Sequence, residues 1–163
     1  MSGGLGISDF CQLAAEGVLA ILSQNAFAGF IARNIAQNQR LPQIMAHASL
    51  ERIVDLPWDW DGYGASPVDP DVIAAASTFI NDFGGEFYSA PSVVPMTHGR
   101  LQFEWQNGKR SLEVEFENPN VIHYLKWDPT RSIEDEAVVP AGDRDTINSL
   151  LRWLSSEKRN AEP

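Results

Sequence analysis

The sequence predicts an α+β domain: an antiparallel β meander of about four strands, covered on one face by two helices and preceded by a helical arm. Three observations carry that prediction. Residues 101–127 alternate apolar and polar side chains through two turn signals, Asn107-Gly108 and Asn118-Pro119-Asn120, and a period of two marks strands with one buried face. Ahead of them, Asp69-Pro70-Asp71 opens a helix with Val72, Ile73, Ala76, Phe79, Ile80 and Phe83 on one side. Behind them, Asp143 opens another with Ile147, Leu150, Leu151 and Leu154 inward. Two such helices on one side of the sheet hide both apolar surfaces.

The elements follow in chain order. Ser8 or Asp9 caps a helix with Phe10, Leu13, Val18, Ile21 and Leu22 at helical steps, and Phe27, Phe30, Ile31 and Ile35 share a face of a second run. The amide-rich stretch 34–43 closes at Leu41-Pro42. Residues 1–42 therefore read as the arm, 43–157 as the α+β domain and 158–163 as a fraying tail. Ser49 starts a short helical turn with Leu50, Ile53 and Val54 on one side, stopped before Pro57. Gly84-Gly85 gives the helix from Pro70 a left-handed exit. Val93-Val94, hemmed by Pro91 and Pro95, is an edge strand. Leu101, Phe103 and Trp105 then alternate with Gln102, Glu104 and Gln106, and Leu112, Val114 and Phe116 with Glu113, Glu115 and Glu117. Val121 to Trp127 is the next strand, Asp128 to Asp135 a polar loop, and Ala137-Val138-Val139 a last short strand.

Composition narrows the function classes. The chain has 163 residues, 44% apolar and 21% charged, as one ordinary domain with an appendage would. Its net charge of −10 argues against a sequence-independent grip on nucleic acid, whose phosphates need a basic face, and suits a basic partner surface. Cys11 is the only cysteine, so no intrachain disulfide forms. His47, His98 and His123 stand in separate segments without zinc spacing, and no metal or cofactor is expected. Neither a basic leader nor an eighteen-residue apolar run is present, so the expectation is a cytoplasmic chain with no membrane partner.

The densest stretch is Trp58-Asp59-Trp60-Asp61-Gly62-Tyr63-Gly64-Ala65. Large rings gain most from burial, whereas aspartate and glycine turn the backbone. An ordered loop is expected, with Trp58, Trp60 and Tyr63 packed inward and Asp59 and Asp61 accepting from backbone amides. Asp59-x-Asp61-Gly62 has the centre of a calcium loop, but Pro57 stands where that loop should open and Val68 where its closing glutamate belongs. Gly62-x-Gly64 lacks the lysine of a phosphate loop.

Trp60-Asp61-Gly62-Tyr63-Gly64-Ala65, with Pro67 and an amphipathic helix after it, resembles the Trp-Asp-Gly-Tyr-Gly-Ala box of a group of small, largely uncharacterised bacterial and phage proteins. The run Gly99-Arg100-Leu101-Gln102-Phe103-Glu104-Trp105 looks like that group's glycine-to-Glu-Trp strand, and the similarity spans residues 52–155. It implies a fold and a bacterial or phage origin, and it supplies no catalytic residues.

Glu104, Glu113 and Glu115 fall on the polar half of their strands, facing water, and acid–base work would require burial to drive their pKa values apart. Together they make an acidic patch, which Asp128, Glu134, Asp135 and Glu136 extend. His98 and His123 have no nucleophile elbow beside them. Trp105, Trp127 and Trp153 belong to the core, since no arginine or lysine interleaves with them as in a base-stacking platform. The leading expectation is a non-enzymatic module that binds a basic protein partner through Glu104, Glu113 and Glu115, inhibitor- or antitoxin-like in a bacterial or phage system. The alternative is a small-ligand binder or enzyme with a pocket of Trp58, Trp60 and Tyr63 and Asp59 or Asp61 as polar anchor. A homodimer through the N-terminal arm is the third.

Overall fold

The computed structural model describes residues 40–156. The expected arm as far as residue 39, with Cys11 and the dimer contact assigned to it, lies outside them, and so does the expected tail.

Residues 40–54 form a helix, α1, so the expected boundary at Leu41-Pro42 falls inside a helical segment that starts well before Ser49. A proline removes a donor, but its fixed φ is helical, so by itself it need not end a helix. Ala46, Leu50 and Ile53 are buried along one side. α2, Pro70–Phe83, is built as its sequence implies. The Asp69 side chain accepts from the Asp71 amide at 2.8 Å, Pro70 opens the helix, and Val72, Ala76, Phe79, Ile80 and Phe83 are buried.

Gly84 does not make the expected left-handed exit. Its φ is −59°, and the chain runs on into a short 3-10 turn, Gly84–Glu86. The glycine answers a spatial demand instead. A Cβ there would stand 2.5 Å from Cγ of Gln43, whose Nε2 donates to the Ile80 carbonyl at 3.2 Å and so ties α1 to α2. Gly84→Ala should therefore cost about 1–3 kcal/mol in urea unfolding, with part of it returned by adding Gln43→Ala, which removes the Cγ and Cδ of the clash.

The sheet is a five-stranded antiparallel meander in the order β1-β2-β3-β4-β5. Its strands are β1 (Ser92–Pro95), β2 (Leu101–Asn107), β3 (Arg110–Asn118), β4 (Val121–Asp128) and β5 (Ile133–Pro140). The fold class is as expected, with one strand more than the four anticipated. β5 begins inside the stretch expected to be a polar loop. In the β2–β3 hairpin Asn107 pairs with Arg110, so Gly108 and Lys109 make the turn, and Gly108 alone takes a positive φ, +60°. Asn107 is released to donate its Nδ2 to the Leu154 carbonyl at 2.7 Å. That carbonyl belongs to α3 (Arg144–Ser155), whose N-cap Asp143 accepts from the Thr146 amide and hydroxyl.

α2 and α3 both lie on one face of β2 and β3. That inner face presents Leu101, Phe103, Trp105, Leu112, Val114, Phe116, Ile122 and Tyr124, all buried. At its centre the Phe79 ring stands 4.9 Å from Phe83, 5.7 Å from Phe103 and 5.5 Å from Phe116, measured between centroids. No helix among the described residues is long and apolar enough to cross a membrane.

Candidate functional site

The loop after α1 is held by its own backbone and carboxylates. The Asp59 amide donates to the Ala65 carbonyl at 2.8 Å, and the Gly62 amide to the Asp59 carbonyl at 3.0 Å. Asp59 Oδ1 accepts from the Gly64 amide at 2.6 Å, while Asp61 Oδ1 accepts from Tyr63 and Ala65 at 2.9 and 3.0 Å. These are the Asx contacts expected of the two aspartates. Gly62 and Gly64 take φ of +76° and +86°, which a side chain would resist. The amide bond from Tyr63, then that from Ala65, holds the Asp61 carboxyl below the ordinary aspartate range.

The rings do not pack inward. Trp58 is 68% exposed and Tyr63 94%, and only Trp60 is half-buried, with its indole N–H donating to the Ser66 carbonyl at 3.0 Å. Ring burial is not what orders this loop. A network of backbone and carboxylate hydrogen bonds suffices, anchored by buried Ala65 and Val68, so two large rings can stand in solvent. They flank a groove of about 300 Å³ shared with Asp61, Ser66, Thr97 and His98. Asp59 and Trp60, also expected in a pocket, are engaged within the loop instead. The Asp69 amide donates to the Gly99 carbonyl at 2.9 Å and so ties the segment after the loop to the Thr97–Gly99 turn.

The strand parities bring the expected glutamates together on the outer face of the sheet. Glu104 stands directly opposite Glu113, and Glu115 lies between Gln102 and His123. None of the three is fully exposed. Gln102, which sequence reasoning did not single out, is buried and donates its Nε2 to Glu104 at 2.9 Å and to Glu113 at 3.2 Å. Glu115 is paired with Arg100 at 2.6 Å, and Glu136 lies 3.8 Å from His123. Glu134 and Glu136 share this face from β5, opposite Trp127 and Leu125.

Two members of the expected patch are elsewhere. Asp128 is fully buried, its Oδ2 3.1 Å from Arg110 Nε, and Asp135 is paired with Lys126 at 2.9 Å on the opposite face. Burial suits Asp128 because Arg110 and Thr130 satisfy its oxygens. Trp105 is in the core as expected and Trp153 is half-buried against it, but Trp127 is 41% exposed on the outer face. The reason is parity: Ile122, Tyr124 and Lys126 take the inner side of β4, which leaves His123, Leu125 and Trp127 outside.

Among the described residues no group of three His, Cys, Asp or Glu side chains is arranged to hold a metal ion. A larger groove, about 390 Å³, runs along α2 beside Pro119 and Gly142 and is lined by none of the residues expected to act. No family model matches the chain, and no curated protein or solved structure matches it either.

Proposed function

We propose that the chain is a non-enzymatic protein-binding module that receives a basic partner on the outer face of its sheet, in an inhibitor- or antitoxin-like role. The observation that carries this reading is the Glu104–Glu113 pair. Like charges directly opposite each other on a sheet destabilise it, and among the described residues it is the neutral Gln102 amide that bridges them. Lysine or arginine side chains of a partner would relieve that repulsion. Exposed Trp127 and Val138, with Leu125 between their rows, add apolar contact area within the same acidic surround, and tryptophan is prominent among residues that dominate binding energy. The bacterial or phage setting rests on the Trp-Asp-Gly-Tyr-Gly-Ala box.

Affinity capture from a bacterial lysate on the immobilised chain should return a basic protein that salt releases. Glu104→Gln with Glu113→Gln should weaken its binding about tenfold, and Trp127→Ala by a similar factor. A captured protein held equally well by the folded variants and at high salt would refute the reading.

A further inference from the structure

We propose that the groove between Trp58, Tyr63 and Asp61 is a site for an alkylated ammonium group, separate from the acidic sheet face and independent of it. The loop is closed by its own hydrogen bonds, so the exposed rings need no burial to order it and no described contact accounts for their positions. Both flank one groove of about 300 Å³. Aromatic faces attract cations, and do so more strongly where the cation is partly desolvated. Asp61 supplies the countercharge in the same groove, and only its Oδ1 takes the amides of Tyr63 and Ala65. Among the described residues no lysine or arginine lines the groove; His98, which does, has its Nδ1 3.1 Å from the Thr97 hydroxyl, and Arg100 nearby donates its Nε to the Thr97 carbonyl and pairs with Glu115. An anion would meet a carboxylate there, and a neutral apolar ligand would leave that carboxylate unanswered. A cation with an apolar shell answers both the rings and the charge.

The group can come from a free small molecule or from a methylated lysine side chain, and one titration separates them. The probes are choline, its neutral isostere 3,3-dimethylbutan-1-ol, and a short peptide with a single trimethyllysine, each followed by NMR at the Trp58 indole N–H and the Tyr63 and Gly64 amides. Choline should give saturable shifts at these positions, and the isostere should bind at least about tenfold more weakly. A tighter peptide assigns the site to a protein side chain, and an equal or weaker one to a free cation. Asp61→Asn keeps an oxygen for both loop amides while removing the charge, and it should weaken choline about threefold to tenfold. Unchanged Asp59 and Gly64 amide shifts in the free variant, whose acceptors are Ala65 and Asp59 rather than Asp61, show that the loop is intact. The proposal is overturned if the isostere matches choline, if Asp61→Asn in an intact loop leaves the affinity alone, or if no saturable shift appears below roughly 100 mM. None of these results bears on Glu104 or Glu113, so the sheet-face reading stands or falls by its own test.

Discussion

Phe79→Ala should lower the unfolding free energy by about 3–5 kcal/mol, read as a drop in the urea midpoint at unchanged slope. Phe79 is 3% exposed, and its ring lies against Phe83 on its own helix, Phe87 beyond that helix, Phe103 on β2 and Phe116 on β3. Removing it takes away the ring contacts of α2 with β2 and β3 and leaves a cavity walled by rings. Those rings are themselves held edge to face, Phe103 against Trp105 and against Phe116, so they cannot collapse into the space without losing each other. Phe79→Leu keeps much of the volume and should cost less than half as much. A domain of this size has about 5–15 kcal/mol of stability in all, so the alanine variant should populate unfolded chains at moderate temperature. A loss under about 1 kcal/mol would mean that the helix–sheet layer is not what holds the fold.

Some of this arrangement could be read in the residues, and what could not has identifiable causes. α2 was legible because three signals agree there: the Asp69 cap, Pro70 at the first position and an unbroken apolar face. The β2–β3 hairpin was legible because Phe103 and Val114 alternate with charges that only a half-buried strand explains. β4 was ambiguous. Ile122, Tyr124 and Lys126 are no more apolar than His123, Leu125 and Trp127, so hydrophobicity does not choose the inner row, and the size of Trp127 points to the wrong side. The second half of β5 was legible in Ala137-Val138-Val139, whereas Ile133 to Glu136 was hidden by its acidity, although charges are what an edge strand carries to avoid further pairing. Transfer energy alone places the rings of the Trp58–Tyr63 loop inward, but it overlooks how completely Asp59 and Asp61 can satisfy a tight backbone. The acidic sheet row was legible from alternation, whereas Gln102 between Glu104 and Glu113 was not. A glutamine in the polar register carries no sign that it is buried.

The other large effect falls on a residue the sequence reading passed over. Arg110 has the same parity as Leu112, Val114 and Phe116, so a regular strand sends its guanidinium into the core, and it is 2% exposed there. The groups around it meet its charge. Nε donates to Asp128 at 3.1 Å, and Nη1 donates to the Trp153 carbonyl at 2.6 Å and to the Ser156 hydroxyl at 2.7 Å. The guanidinium carbon lies 5.1 Å from the centre of the Trp153 ring. One side chain thus joins the start of β3, the end of β4 and the carbonyl end of α3, where a positive charge is favoured. Arg110→Ala should cost about 3–5 kcal/mol, because it leaves a buried carboxylate without its counter-charge and removes the tie between sheet and α3. Asp128→Asn should be milder, since an amide oxygen still accepts from Thr130 and Arg110 keeps its bonds to α3. The acid limb of stability separates the roles further. The hydrogen bond from the Thr130 hydroxyl, then the bond from Arg110, outweighs desolvation and holds the Asp128 carboxyl below the ordinary aspartate range. A carboxyl depressed in the folded state stabilises the fold above its unfolded pKa and loses that contribution as pH falls toward the folded value. Wild type should therefore lose stability more steeply than Asp128→Asn below about pH 4, while the two run parallel near neutrality. Parallel curves throughout the acid range, with Arg110→Ala near wild-type stability, would show that this buried pair does not join sheet to helix.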